Sequence, residues 1–331
     1  MQNTIEESAI ALEEELSSFP TKDPNMPDVP PDEAAHASAL SRSFRHSFWC
    51  NRRTMTEKAL LRADVPYKQI TRFRECGSQA FVYRSEKTPD KLMIKCDRCK
   101  NRWCEACNRE RRTIIQRNLR ANYPKARTRF LTLTVKSQSD LRTVTDHLFK
   151  SWQKLRRQKQ YAKRITGGIW FLELTRNVKT NEWHPHLHIV YTGSYLDHTK
   201  LSKDWHNITG DSFVVDIREI PNPEIAIGYV TKYASKAIPR EVWSSVESMA
   251  ELIRDYKDQK LIGVFGTWRG LKLTQIPESD EGWTPVAPLW KIISYARMGI
   301  EWATKMLNDL GRYVPNAHDH ANTPDPNVDG G

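Results

Sequence analysis

Two closely spaced cysteine pairs restrict the fold of this chain more than any other feature of its sequence. Segment 96–107 reads CDRCKNRWCEAC, so four residues separate two CxxC pairs. A CxxC turn directs two thiolates at one metal ion, and two such turns complete a tetrahedral zinc site. Because four residues are a tight spacing, we expect a fifth cysteine to replace one ligand, with Cys76 in place of Cys99. The candidate ligands of a structural Zn²⁺ are therefore Cys76, Cys96, Cys99, Cys104 and Cys107.

The composition of the 331 residues excludes a membrane-spanning or exported protein. Mean hydropathy is −0.66, and no stretch approaches the roughly 18 apolar residues that a membrane helix needs. Residues 1–40 contain nine acids and one base, which does not fit a secretory signal. Clustered cysteines in a chain without an export signal favour metal over disulfides. We therefore expect a cytoplasmic protein with no membrane partner.

Charge is distributed unevenly along the chain. Residues 1–42, acidic and rich in proline, and residues 313–331 are predicted to be disordered tails. Between residues 95 and 165 there are 21 Lys and Arg against five acids. A basic block of this size is a candidate surface for the phosphates of nucleic acid. We expect DNA contacts from its helices at Arg109, Arg112, Arg156 and Arg157.

Apolar periodicity predicts an α+β domain, with an antiparallel sheet and helices packed on one face. Residues 129–135 alternate apolar and threonine side chains, as in a half-buried strand. Strands at 168–175 and 184–191 flank a polar turn and so predict a hairpin. The remaining expected elements are a strand at 212–218 and helices at 105–123, 140–164, 198–206 and 222–237.

A histidine pair in the hairpin is a candidate metal site. His186 and His188 are two residues apart, so both imidazoles project from one face of the strand. Glu173 lies in an apolar stretch of the partner strand, where burying an unpaired carboxylate would be costly. Two imidazoles and one carboxylate leave open coordination positions, which suits Mg²⁺ or Mn²⁺. His184 shares the face at the strand start, where we expect it to support the ligands.

Two tyrosines and two lysines form a second candidate site. Tyr229 and Tyr233 share one face of the predicted helix at 222–237, and Lys232 and Lys236 form another pair beside them. A phenol has an ordinary pKa of about 10 and must lose its proton to attack phosphorus. Neighbouring ammonium groups favour the phenolate and neutralise phosphate charge.

Taken in order, these motifs resemble those of the replication initiators of rolling-circle plasmids, within the HUH endonuclease superfamily. The resemblance spans residues 76–272 and includes, besides the cysteines, the segments FLTLT at 130–134, LELT at 172–175, WHPHLH at 183–188 and KYASK at 232–236. It implies a ferredoxin-like, RRM-like endonuclease domain at 126–275. A zinc-binding and basic helical region at 43–125 would precede this domain, and a helical extension at 276–312 would follow it.

The resemblance also implies a chemistry. Tyr233 would attack a phosphate at the double-strand origin of a plasmid, leaving a 5′-phosphotyrosyl link and a free 3′-OH. A divalent metal at Glu173, His186 and His188 would polarise that phosphate. Host DNA polymerase would extend the 3′-OH, a host helicase would displace the old strand, and a second transfer would rejoin it.

Tyr229 departs from the pattern of the plasmid initiators. Their close relatives tend to carry a glutamate at this position, which activates water for the closing cleavage. The spacing of Tyr229 and Tyr233 instead resembles the two-tyrosine initiators of isometric single-stranded DNA phages. We hypothesise that Tyr229 is a second nucleophile, and either phenol could begin the reaction. If Tyr229 is not a second nucleophile, the closing cleavage would have to use Glu224 or solvent.

Two other interpretations remain open at this stage. The chain could be a different HUH nuclease, either a conjugative relaxase or a transposase. It could also be a non-catalytic zinc protein that binds DNA as a regulator. The latter accounts for the charge and the cysteines, but gives no reason for Glu173 or the paired histidines and tyrosines. A homodimer is compatible with the sequence under each interpretation.

Overall fold

The computed structural model describes residues 31–124, 126–177, 179–235, 238, 240–256, 258–276 and 282–310. Its helices are α1 (Pro31–His46), α2 (Cys50–Arg62), α3 (Tyr67–Arg74), α4 (Glu105–Asn122), α5 (Leu141–Arg157), α6 (Lys159–Ala162), α7 (His198–Thr209), α8 (Pro223–Ser235), α9 (Val246–Tyr256), α10 (Leu289–Arg297) and α11 (Glu301–Asp309). Its strands are β1 (Phe81–Ser85), β2 (Leu92–Lys95), β3 (Thr128–Thr134), β4 (Ile165–Arg176), β5 (Trp183–Gly193), β6 (Val215–Ile220), β7 (Ile262–Gly266) and β8 (Trp283–Pro288). Short 3-10 helices cover Ser47–Trp49 and Arg240–Ser244.

The chain divides into two compact units. Among the described residues, the first unit contains 31–50, 74–99 and 282–310, and the second contains 51–73 and 100–276. The expected boundaries of the zinc-binding region, the endonuclease domain and the helical extension stay a prediction. The predicted tail at 313–331 and the first 30 residues of the predicted acidic tail lie outside the described residues.

The first unit is built on a three-stranded sheet in the order β2-β1-β8. Both pairings of β1 are antiparallel. A two-stranded hairpin is marginal by itself, and β8, from late in the sequence, supplies the third strand. Phe44 of α1 and Leu289 of α10 pack in the core beside Val82. Two expectations are corrected: α1 begins at Pro31, inside the predicted disordered tail, and the extension at 276–312 contributes a strand as well as helices.

The second unit contains a five-stranded antiparallel sheet in the order β6-β3-β5-β4-β7. The antiparallel α+β class and the hairpin of β4 and β5 are therefore confirmed. Nearly every residue of β3 is buried, because the strand carries apolar residues on both of its faces. The ferredoxin-like assignment stays a prediction.

Helices cover both faces of this sheet, so the expectation of helices on one face was wrong. Phe130 and Ile169 belong to one apolar cluster with residues of α4 and α8. The ring of Trp170, the next residue along β4, lies 5.0 Å from that of Phe149 in α5. Successive strand residues point to opposite faces, so α5 and α8 lie on opposite sides. Consecutive apolar residues on β3 and β4 require this double cover.

The predicted helix at 140–164 and the predicted helical extension at 276–312 each contain two separate helices. The expected helix at 140–164 starts after Asp140, whose carboxylate accepts from the Thr143 N–H at 2.6 Å. It ends at Arg157, because Gln158 is extended, and α6 follows. Within the helical extension predicted at 276–312, α10 and α11 are separated near Gly299, which has φ of +82°. None of the helices within the described ranges is long and apolar enough to cross a bilayer.

The close approach of β4 to β5 makes Gly168 intolerant of a side chain. A Cβ on Gly168 would lie 2.2 Å from the carbonyl oxygen of Val190, a backbone atom that cannot move aside. We expect Gly168→Ala to lower the free energy of unfolding by about 1–3 kcal/mol, measured by denaturant titration. The control is Gly228→Ala in α8, where a new Cβ meets nothing within 4 Å. It should gain up to about 1 kcal/mol from helix propensity. Equal stabilities of the two variants would contradict the tight pairing.

Candidate active site and metal site

One face of the five-stranded sheet gathers the predicted metal ligands. In the strand register, His186 of β5 lies opposite Glu173 of β4 on one side and Thr134 of β3 on the other. His188 lies opposite Thr132 of β3 in the same way. Alternate residues share a face, so all five side chains project from the same side of the sheet. This is the side on which α8 packs.

His188 is held by hydrogen bonds at both ring nitrogens. Its side chain is only 6% exposed, and Nε2 lies 2.8 Å from Oε2 of Glu173. Nδ1 lies 3.1 Å from Oγ1 of Thr132. A carboxylate accepts hydrogen bonds, so the N–H at Nε2 donates to Glu173, and Nδ1 pairs with the threonine hydroxyl. The buried carboxylate of Glu173 thus has the partner that its burial requires.

His186 is kept neutral by its surroundings. Burial is the main cause that lowers its pKa to about 4, and the neighbouring His184 lowers it further, against an opposing effect of Glu173. A neutral imidazole keeps a lone pair for a metal. The rings of His186 and His188 are parallel to within 5°, with centroids 6.0 Å apart. The ring of His184 packs against that of His186, and its Nε2 lies 2.7 Å from Oγ1 of Thr134. Its supporting role stays a prediction.

The donor chemistry of this face fits a divalent cation, although the ligands are not assembled around one point. Over the described parts of the chain, the four-cysteine group treated below is the one set of three or more metal-ligating side chains whose donor atoms all lie within 4.8 Å. Glu173, His186 and His188 do not meet that criterion as a set of three, although Glu173 and His188 are hydrogen-bonded to each other. Two imidazoles and a carboxylate are nevertheless suitable ligands for Mg²⁺ or Mn²⁺.

A stack of three rings connects Tyr229 to this face. The half-buried ring of Tyr229 stacks on Phe130 with centroids 4.6 Å apart. Phe130 in turn stacks on His188 at 5.6 Å. The backbone of Tyr233 and Lys232 belongs to α8, but their side chains, like the whole of Lys236, lie outside the described residues. Among the described side chains of the motif, that of Tyr229 lies beside the ring next to His188.

Three residues of this face were missed by sequence reasoning. Thr132 and Thr134 hold histidine rings, and Phe130 separates His188 from Tyr229. All three lie at alternate positions of the strand predicted at 129–135, so the alternation indicated a common face. The sequence contained no signal that β3 pairs with the histidine strand, because that pairing joins segments about 55 residues apart.

The predicted zinc site is a group of four buried or partly buried thiols. The Sγ atoms of Cys76, Cys99, Cys104 and Cys107 all lie within 4.8 Å of one another, and this group could hold a metal ion such as zinc. A Zn–S distance of about 2.3 Å in tetrahedral geometry requires thiolates at such mutual distances. The expectation that Cys76 takes the place of one cysteine of the two CxxC pairs agrees with this group. The cysteine left out of the group is Cys96, not Cys99 as expected.

Backbone pairing explains which cysteine is left out. The N–H of Gly77 donates to the carbonyl of Asp97 at 2.9 Å, and the N–H of Asp97 donates to Ser78 at 3.0 Å. This ladder places the turn of Cys76 beside the residue that follows Cys96. The Cys96 side chain packs instead against the apolar core of the first unit.

One of the four predicted DNA-contacting arginines, Arg156, lies on the side of the sheet opposite to the histidines. Arg156 lies over the ring of Phe265 at 4.6 Å, and Phe265 is paired with Gly168 on the other side of the sheet. Burial, followed by the nearby Arg269 and Arg157, lowers the pKa of Arg156. Arg109 and Arg112 lie on α4, the first exposed and the second half-buried. Their role in DNA binding stays a prediction.

Comparison with known proteins identifies the family of the chain. The family model described as "Replication protein" (Rep_1) matches residues 91–284, more than half of the chain. "Protein rep" of Streptococcus pneumoniae is 25% identical over 266 residues, covering 71% of this chain and 82% of the relative. "Protein rep" of Staphylococcus aureus is 24% identical (50% and 80% covered), and that of Lactiplantibacillus plantarum is 26% identical (57% and 58% covered). No solved structure matches the chain.

The chain therefore belongs to the Rep_1 family of replication proteins. The resemblance to replication initiators of plasmids that its motifs predicted is confirmed at this level. The matched residues include Glu173, the histidines of β5 and Tyr229. They also include Cys99, whereas Cys76 precedes the matched region.

The cysteine cluster predicts which thiols are needed for zinc. Cys99→Ser should remove most of the zinc from the purified chain, because a structural site uses four ligands. Cys96→Ser should keep zinc at the wild-type level, since this side chain lies outside the cluster. Metal analysis after dialysis against a competing chelator would measure both variants. Zinc loss in Cys96→Ser with retention in Cys99→Ser would contradict the ligand set.

Proposed function

We propose that the protein initiates rolling-circle replication by nicking one strand at the double-strand origin of a plasmid or phage. The observation that supports this most directly is the ring stack of His188, Phe130 and Tyr229. The phenol of Tyr229 on α8 is separated by the Phe130 ring from His188, which is hydrogen-bonded to a carboxylate. Such a site combines a nucleophile for phosphorus with ligands for a cation, and family membership supplies the context of replication.

In the proposed reaction a tyrosine oxygen attacks the scissile phosphorus. A bond forms between phosphorus and the phenolic oxygen, and the bond from phosphorus to the 3′ oxygen breaks. The phenol gives its proton to water, and the departing 3′ oxygen takes a proton from water. The products are a 5′-phosphotyrosyl link and a free 3′-OH, which a host DNA polymerase would extend while a host helicase unwinds the duplex.

The chain's own residues prepare this site in distinct ways. Glu173 and Thr132 fix the ring of His188 from two sides. Burial keeps His186 neutral at physiological pH. These three ligands, Glu173, His186 and His188, would hold a Mg²⁺ or Mn²⁺ ion, which when bound supplies positive charge to a scissile phosphate oxygen. Lys232 and Lys236 would neutralise the charge of the phosphate, a role that follows from the sequence alone.

Two phenols on one helix would let the DNA pass from one tyrosine to the other. Tyr229 and Tyr233 are one helical turn apart, so a strand held by one could be attacked by the other. Glu224, at the start of α8, is the alternative general base that would activate water for the closing cleavage. Its carboxylate forms an ion pair with Arg120 at 3.1 Å. This pairing favours the two-tyrosine cycle over water activation by Glu224.

The cysteine cluster would act on structure rather than on catalysis. A tetrahedral shell of four thiolates leaves no position for water or substrate. We propose that Cys76, Cys99, Cys104 and Cys107 hold Zn²⁺. The basic residues between 95 and 165 would contact DNA phosphates outside the nick site.

The proposal is tested by trapping the covalent product. Purified full-length protein would be mixed with Mn²⁺ and a single-stranded oligonucleotide that carries the nick site of its replicon. A label at the 3′ end should move with the protein on a denaturing gel, because the 5′ phosphate of that fragment is bound to tyrosine. A label at the 5′ end should appear in a shorter free fragment. The double variant Tyr229→Phe, Tyr233→Phe should form no adduct.

The two single variants separate the roles of the phenols. We expect each single variant to form an adduct through its one remaining tyrosine of the motif. The variant that forms adduct at the higher rate still carries the tyrosine that attacks first. Tight DNA binding with no adduct under Mg²⁺ or Mn²⁺ would contradict the proposal and favour a non-catalytic zinc regulator. Adduct in the double variant would show that the nucleophile lies elsewhere in the chain.

A further inference from the structure

Arg218, a residue of none of the sequence motifs, lies beside Tyr229. In the pairing of β3 with β6, Arg218 is directly opposite Phe130. Directly opposed residues in antiparallel strands have Cβ atoms about 4.5–5.5 Å apart. The Phe130 ring stacks on Tyr229 at 4.6 Å. Arg218 and Tyr229 are therefore both neighbours of Phe130.

A second residue of β6 holds the guanidinium. Nε of Arg218 lies 2.9 Å from Oδ2 of Asp216 and donates to Oδ1 at 3.1 Å. Asp216 is two residues earlier on the strand, so both side chains project toward the histidine face. Hydrogen bonding to Asp216 and its charge, followed by smaller contributions of the same kinds from Tyr229, raise the pKa of Arg218. The guanidinium thus interacts with the carboxylate and with the phenol.

An exposed ion pair of this kind has little structural value. The side chain of Arg218 is 64% exposed and that of Asp216 is 39% exposed. Exposed pairs contribute at most about 1 kcal/mol to folding. The placement of a permanently charged guanidinium next to a phenol has a chemical consequence instead. Hydrogen bonds to a developing negative charge are the strong ones, and fixed donors of this kind stabilise phenolate oxygen during attack.

We infer that Arg218, held by Asp216, positions Tyr229 as a nucleophile for the scissile phosphate. The inference rests on the proposed function and names the residue that would make this tyrosine competent. The phenol of Tyr229 gives its proton to water, its oxygen bonds to phosphorus, and the 3′ oxygen departs and takes a proton from water. The guanidinium stays protonated throughout. Arg218 is a positioning residue, because it acts through Tyr229.

The test places the same substitution in two single-tyrosine proteins. Arg218→Ala would be made in the Tyr233→Phe protein, where Tyr229 is the remaining phenol of the motif, and in the Tyr229→Phe protein, where Tyr233 remains. Rates of adduct formation would be measured with the 3′-labelled oligonucleotide and Mn²⁺. Loss of a charge-assisted hydrogen bond should slow the reaction through Tyr229 about tenfold or more. The reaction through Tyr233 should change less than about twofold, the scale of a weak surface effect.

Two further variants guard against a merely structural explanation. Arg62→Ala removes a comparably exposed arginine, 62% against 64%, from an ion pair with Glu247, and should leave both rates unchanged. Arg218→Lys keeps the charge with fewer donors, so it should recover part of the rate through Tyr229. A lysine variant no faster than the alanine variant would overturn the inference.

The outcomes distinguish this inference from the proposed function. An equal loss of rate in both single-tyrosine proteins would overturn it, since Arg218 would then act on DNA or folding in general. Adduct through Tyr233 with none through Tyr229 would also overturn it, while leaving the nicking activity intact. Absence of adduct in the wild-type protein would refute the nicking activity and the inference together.

Discussion

The part-buried hydrogen bond between His188 and Glu173 is the interaction on which the candidate site depends. A carboxylate that is only 15% exposed loses most of its hydration, and without a partner that loss would cost several kcal/mol. The pairing of β4 with β5 supplies the histidine, and the pairing of β3 with β5 supplies Thr132 for its other nitrogen. A shift of one residue in either register would remove these partners. The strand register of the sheet therefore determines which polar side chains meet on this face.

The same register explains what could be predicted from the sequence and what could not. Strand alternation placed His186 and His188 on one face, and the apolar surroundings of Glu173 indicated that it needed a partner. Both arguments are local and both agree with the structure. The stack of Phe130 on Tyr229 depends on where α8 packs, which no local pattern encodes. Helices on both faces were missed because strand apolarity was interpreted as one-sided.

The cysteine cluster gives the same lesson at shorter range. The CxxC pairs predicted a metal site in the correct segment, and the replacement of one thiol by Cys76 was also anticipated. Which thiol is replaced depends on the backbone ladder that joins Gly77 to Asp97, and spacing alone does not encode that ladder. Membership in a family of replication proteins and the rings around Tyr229 support the proposed reaction. In that proposal, a rigid sheet face holds the cation ligands, and one helix carries the nucleophiles to it.

The most direct test of this account is to identify the residue that carries DNA. Trapped adduct would be digested with nuclease and trypsin, and the peptides analysed by mass spectrometry. Trypsin cleaves after Arg218, Lys232 and Lys236, so Tyr229 and Tyr233 fall on different peptides. The account predicts a nucleotide on one or both of these peptides. A nucleotide on a peptide outside 219–236 would contradict it, because the attacking group would then lie away from α8 and from the ring stack.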